Sequence, residues 1–138
     1  MYIIYKHISH WIIMDLSRLR QKILHLDQKR LSLIKTLLQP LPMISGSLYQ
    51  MHRPCGNPRC KCARGVLHSS WYLSTRKDKK TKLIYIGKIV TERLSTRVLR
   101  YQSYQKTLAE IRKIDSEISV TLNQLRDAKL KTFNQGRQ

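Results

Sequence analysis

Three cysteines and two histidines share one turn-rich run, His52-Arg-Pro-Cys55-Gly-Asn-Pro-Arg-Cys60-Lys-Cys62-Ala-Arg-Gly-Val-Leu-His68. Thiolate and imidazole are the usual donors of structural zinc, which takes four ligands in a tetrahedron. Cys55, Cys60, Cys62 and His68 make a Cys3His set, with His52 as the competing fourth ligand. Gly56, Pro58 and Gly65 supply the tight backbone that lets near neighbours converge. Three clustered cysteines cannot close a disulfide framework, which favours a metal and a reducing compartment, hence the cytoplasm. The CxxxxCxC spacing is less diagnostic than paired CxxC knuckles. The alternatives are three reduced thiols in a small core or, with clustering as its sole support, a redox relay. A sheet with so few aliphatic residues would struggle to fold alone, so the expected Zn2+ is structural, contributing on the order of 10 kcal/mol.

Basic residues surround these ligands. Arg53, Arg59, Lys61 and Arg64 interleave them, and Arg76, Lys77, Lys79, Lys80, Lys82 and Lys88 follow, with Asp78 the sole acid of that region. Over the whole chain 27 Lys and Arg stand against 8 Asp and Glu, a formal charge of +19. That is far beyond what solubility requires, and a polyanion is the natural compensation. Binding of RNA or DNA with a steep salt dependence is the expectation, with guanidinium forks and turn amides clamping phosphates without reading sequence. Tyr49, Trp71, Tyr72 and Tyr85 are candidates for stacking on unpaired bases, although aromatics in a minimal sheet more often form its core. Competing readings of the charge are a merely soluble surface and a membrane-surface role for Trp11 and its neighbouring isoleucines. The apolar opening of 14 residues is too short to span a bilayer and lacks a small-residue cleavage site, so neither a signal peptide nor stable membrane association is expected. Met14 is an alternative functional start.

Enzymatic readings are weak. A nuclease or transposase needs clustered carboxylates for Mg2+, whereas Asp115 and Glu117 diverge on a helix and Glu110 and Glu117 are better explained as partners of lysines. A Cys-His nucleophile built from Cys60 or Cys62 with His68 competes with the ligand role of the same residues. No glycine loop cradles phosphate. The chain is expected not to be an enzyme.

The elements that must position these groups follow from periodicity. From residue 15 to 39, Leu16, Leu19, Ile23, Leu26, Leu33 and Leu37 recur at spacings of three and four, interrupted by Arg30, and Pro40 and Pro42 end the helix. From 45 to 89 the pattern is that of a metal-bearing β tip. Its strands are expected near Ser47–Met51, Ser70–Arg76 and Lys82–Ile86, the last two forming a hairpin around Lys77-Asp78-Lys79-Lys80 whose turn type is open. Thr91 is the expected N-cap of a second helix over 91–131, in which Tyr101, Tyr104, Leu108, Ile111, Ile118, Leu122 and Leu125 form a seam with Asp115 as its polar member. If the helices pack antiparallel, Arg30 and Asp115 could meet and fix register; otherwise both reach the seam's edge. Residues 1–14 form an apolar extension and 132–138 a tail.

At about 1.5 Å per residue the helices would be roughly 37 and 60 Å long, so the longer one needs cover from residues 1–14, a second copy or another protein. The fold class is therefore α+β: two long helices in a coiled-coil-like hairpin flanking a small three-stranded antiparallel, zinc-stapled sheet. A homo-oligomer or a larger protein partner is expected.

The run Gly46-Ser47-Leu48, then Cys55-Gly56-Asn57-Pro58-Arg59-Cys60-Lys61-Cys62-Ala63-Arg64-Gly65, then His68 and Tyr72-Leu73-Ser74 before a helix, resembles an uncharacterised prokaryotic family of small basic zinc-ribbon-like proteins, many linked to mobile elements. The likeness covers roughly residues 45 to 110. It departs from the family pattern at His68-Ser69-Ser70, where His-Gly-Pro is usual, and at Asp78-Lys79-Lys80, where Gly-Lys is common. The resemblance implies a mobile-element accessory factor. The combined expectation is a nucleic-acid-binding accessory subunit, RNA slightly favoured, that positions a larger mobile-element or defence enzyme. The alternatives are a dimeric sequence-specific DNA-binding regulator, using the Arg93, Arg97 and Arg100 helix face, and a zinc-stabilised protein-interaction adaptor.

Overall fold

Long stretches without proline or glycine at either end, and β-branched and aromatic residues between them, give an α+β chain in the computed structural model. It describes the backbone of residues 2–135 and the side chains of 15–130. Helix α1 spans Tyr2–Leu37, strands β1 (Ser47–Arg53), β2 (His68–Lys77) and β3 (Lys80–Gly87) follow, and helix α2 spans Glu92–Gln135. The chain divides into two compact units, one of residues 1–39 with 107–138 and one of residues 40–106.

In the helical unit, α1 carries a half-buried stripe at Leu16, Leu19, Ile23, Leu33 and Leu37, with Leu26 buried. That is the expected seam. The helix ends where Pro40 and Pro42 deny further amide donors, after Leu38 donates to the Ile34 carbonyl at 3.0 Å. It begins far earlier than expected, because residues 2–14 hold no proline or glycine and continue α1 instead of forming a separate extension. The helices are thus roughly 54 and 66 Å long. Whether the side chains of 1–14 cover α2 lies outside the described residues.

Within the helical unit α2 buries Ile111, Ile114 and Thr121, while Asp115 and Leu122 are exposed. The expected seam therefore holds through half-buried Leu108, Ile118 and Leu125 and buried Ile111, and departs by one residue where buried Ile114 and Thr121 stand in place of Asp115 and Leu122. Thr121 is the buried polar member, its hydroxyl donating to the Glu117 carbonyl at 2.8 Å. Lys22 pairs with Glu117 at 3.4 Å and Lys29 with Glu110 at 2.7 Å. Seven residues forward on α1 correspond to seven backward on α2, which makes the two helices antiparallel. Arg30 does reach Asp115, at 3.5 Å, but holds Asp27 more closely at 2.8 Å. Asp27, with Asp115 behind it, raises the guanidinium above its ordinary range.

In the other unit the strands form an antiparallel sheet in the order β1-β2-β3. Leu73 on the central strand is buried, as are Cys62 and Val98. Gly46 opens the sheet because a Cβ there would collide with the Ser74 carbonyl. Thr91 caps α2, its hydroxyl accepting the Leu94 amide at 3.3 Å. The Ile44 amide donates to the Arg97 carbonyl at 3.1 Å, and Gln102 donates to the Ser47 hydroxyl at 3.5 Å. Lys77 and Lys80 pair across a two-residue loop in which Asp78 (φ 52°) and Lys79 (φ 63°) are both left-handed. That is a type I′ hairpin turn made without glycine.

Candidate metal centre and basic surface

The four expected ligands come from one loop and the start of β2. Pro54 and Pro58 flank Cys55 in a chain that leaves β1, and the Asn57 side chain accepts the Arg59 amide at 2.9 Å while its carbonyl accepts the Cys60 amide at 3.1 Å. A short 3-10 turn, Lys61–Arg64, follows and buries Cys62; it closes on Gly65, whose left-handed φ of 104° lets its amide return to the Cys62 carbonyl. His68 then enters β2 opposite Arg53.

The ligand atoms of Cys55, Cys60, Cys62 and His68 all lie within 4.8 Å of one another and could hold a metal ion. Cys55 Sγ is 3.4 Å from Cys62 Sγ, and Cys60 Sγ is 3.1 Å from His68 Nε2. An ion held about 2.3 Å from each sulfur places tetrahedral vertices roughly 3.7 Å apart, so the cluster has nearly the required size. All three cysteines are free thiols. His52 is not part of the group: it pairs with Ser69 one step along the ladder, and strand alternation turns it to the face opposite His68.

The thiols are differentiated by their surroundings. The Asn57 amide, with Cys62 behind it, holds Cys55 below the ordinary thiol range, and the Cys62 amide together with His68 does the same for Cys60. The Cys55 amide, 3.3 Å from Cys62 Sγ, favours the thiolate there, yet burial and the two neighbouring sulfurs outweigh it and push Cys62 up. Three sulfurs this close repel one another as thiolates, and a cation among them removes that penalty. The donor set therefore fits a soft or borderline metal.

The expected cationic residues fall on the ligand loop, at the far end of the hairpin and on the first turns of α2. Arg59, Lys61 and Arg64 are exposed on the loop that carries the ligands; Arg76, Lys77, Lys79, Lys80 and Lys82 are exposed around the hairpin turn, and Lys88 beyond it. Arg53 is exposed and lies over the Tyr72 ring, 5.5 Å from its centroid. Arg93 is exposed, whereas Arg97 and Arg100 are half-buried, and the three line one shallow cleft with Pro42, Glu92 and Thr96. A second cleft went unforeseen. Ser45, Ser47, Thr75, Arg76, Gln102 and Lys106 help to line it, and because they come from separate segments no local motif announces it.

Residues 40–106 carry fourteen Lys and Arg against two acids, Asp78 and Glu92. Among the described residues every ion pair lies in the helical unit, where Asp27, Glu110, Asp115, Glu117 and Asp127 are engaged. Among the described residues no carboxylate forms an ion pair with a cation of the sheet-bearing unit. No described helix is long and apolar enough to cross a membrane.

A family model described as a domain of unknown function, DUF6788, matches residues 17–96. The match starts earlier than the resemblance drawn from the cysteine motif, taking in most of α1, and ends in the first turns of α2. No curated protein and no solved structure matches the chain.

Proposed function

The chain belongs to the DUF6788 family, and from that premise we propose that it is a non-enzymatic, zinc-stapled nucleic-acid-binding protein, an accessory subunit that positions a larger mobile-element or defence enzyme in the cytoplasm. The observation that carries this reading is the unneutralised charge of residues 40–106, set against the ion-paired helical unit. Zn2+ is the metal that a closed Cys3His set suits best, and its role is structural: Cys55, Cys60, Cys62 and His68 would hold the loop on which Arg59, Lys61 and Arg64 are displayed. Those three side chains, with the hairpin lysines, contact phosphates as point charges and forks, giving affinity without sequence readout.

The helices form the coiled-coil-like stalk. Leu24 and Leu31, seven apart and exposed, supply a second apolar stripe on α1 for a second copy or the partner enzyme. RNA is the preferred target. The runner-up, a dimeric regulator reading DNA with a helix face, draws on the shared cleft of Arg93, Arg97 and Arg100.

The test is fluorescence anisotropy with RNA and DNA probes across a salt series. Tight binding should weaken linearly in log-log form, by a slope near 0.7 to 0.9 per phosphate contacted. Replacing Arg59, Lys61 and Arg64 together by alanine should flatten that slope by about two to three units while metal content is retained. Binding that ignores salt, or a triple variant with the original slope, sinks this reading.

A further inference from the structure

The three strands place Tyr49 opposite Tyr72 and Tyr72 opposite Tyr85, so the three rings form one row straight across the sheet. Tyr49 and Tyr72 lie nearly parallel with centroids 6.2 Å apart, and Tyr85 meets Tyr72 edge-on at 5.5 Å. Strand alternation puts Leu73, the one buried residue of the sheet, on the opposite face beside exposed Ile84, while on the tyrosine face Tyr49 and Tyr72 are half-buried. Tyr85 is 62% exposed, far from the burial that a core role demands. Trp71, one residue from Tyr72, falls on the other face and leaves the row.

From this arrangement, and resting on the nucleic-acid reading above, we propose that the tyrosine row is a stacking platform for unpaired bases, so that the ligand of this unit is a single strand. Every base has a π face, and an exposed ring such as Tyr85 gains by stacking on it whatever the sequence. Bases inside a duplex are already stacked at roughly 3.4 Å and offer no free face to the rings. The row's spacing of 5.5 to 6.2 Å requires bases splayed apart, which only an unpaired strand supplies. The ends of the same face carry the matching charge. Alternation places Arg53 at one end and Arg76 at the other, and no acid stands on any of the three strands. Arg53, already over Tyr72, is positioned to extend the platform with its guanidinium plane. A strand laid across the tyrosines thus meets cations at both sides of its bases.

The experiment uses the full metal-loaded chain with three labelled probes: a twelve-nucleotide oligouridylate, a twelve-nucleotide oligothymidylate, and a mixed-sequence duplex with the same number of phosphates as each. Both single strands should bind more tightly than the duplex. Tyr85→Leu should weaken single-strand binding by about 5- to 150-fold and leave duplex binding and the salt slope unchanged, whereas Tyr85→Phe keeps wild-type affinity. Photocrosslinking of a 5-iodouridine probe to the unmutated chain should mark the peptide Leu83–Lys88, whose sole aromatic residue is Tyr85. That readout holds even if the leucine variant folds poorly. Tighter binding of the duplex, wild-type affinity in a Tyr85→Leu chain of normal metal content, or crosslinks confined to other peptides would overturn the platform. If the Arg59, Lys61 and Arg64 variant still loses binding in those cases, the basic-surface reading survives its loss. A wild-type chain that binds none of the three probes overturns both.

Discussion

Replacing His68 by asparagine is expected to weaken metal binding by more than about a hundredfold, while the same change at His52 leaves the metal content as it was. Metal analysis of the two purified variants checks this, and retention of metal by the His68 variant would remove it from the ligand set. The two histidines were equivalent in the sequence because both lie a few residues from a cysteine. Only the β1–β2 register separates them: His68 stands opposite Arg53, and His52, one residue away, belongs to the other face. The three cysteines were legible earlier because their spacing is so short that almost any turn brings them together. The left-handed pair in the hairpin turn was not legible. Asp78 tolerates that conformation through its short polar side chain, but Lys79 has no such excuse and holds it at φ 63° against a cost of about 1 kcal/mol or more. Lys79→Gly should therefore raise stability in urea by about 0.5–1 kcal/mol. If the turn contacts phosphate, the same variant should bind nucleic acid less well, which is the signature of strain retained for a charge.

For the helices, the decisive comparison is between Ile114 and Leu122. Ile114 is 3% exposed and Leu122 48%, so Ile114→Ala should cost about 2–4 kcal/mol and Leu122→Ala within about 0.5 kcal/mol. Chemical denaturation of the two variants reads the difference directly. A search for apolar residues at spacings of three and four chooses Leu122 over Thr121, because it weighs hydrophobicity alone. The folded pair buries Thr121, its hydroxyl satisfied by its own helix. The same misplacement had put Asp115 inside. Exposed, and sharing Arg30 with a closer Asp27, it makes an ion pair of the kind that contributes little to stability. The strands were easier, since aromatic and β-branched runs bounded by turn residues allow few alternatives, and each was found within two residues of its ends.

At the scale of the whole molecule, charge and architecture divide the labour. The acids sit mostly where lysines and arginines of the helices can use them, and among the described residues the cations of the sheet-bearing unit form no ion pair. Net charge announced this in the sequence; its uneven distribution became meaningful once residues 107–138 were grouped with 1–39. From that grouping an order of events during folding is expected. Arg30 and Asp115 are separated by 85 residues, whereas Lys77 and Lys80 close a loop of two. A hairpin of that kind closes in about 1–10 μs, while bringing distant segments together must first overcome the entropy of a long loop. The sheet is therefore expected to shorten that loop before the helices find each other, and the candidate metal ligands lie between its first two strands and at the start of the second. Metal withheld during refolding should accordingly slow the pairing of helices that never touch it. Stopped-flow refolding followed by far-UV circular dichroism, with and without zinc, measures that delay; identical rates would mean that the helices assemble first.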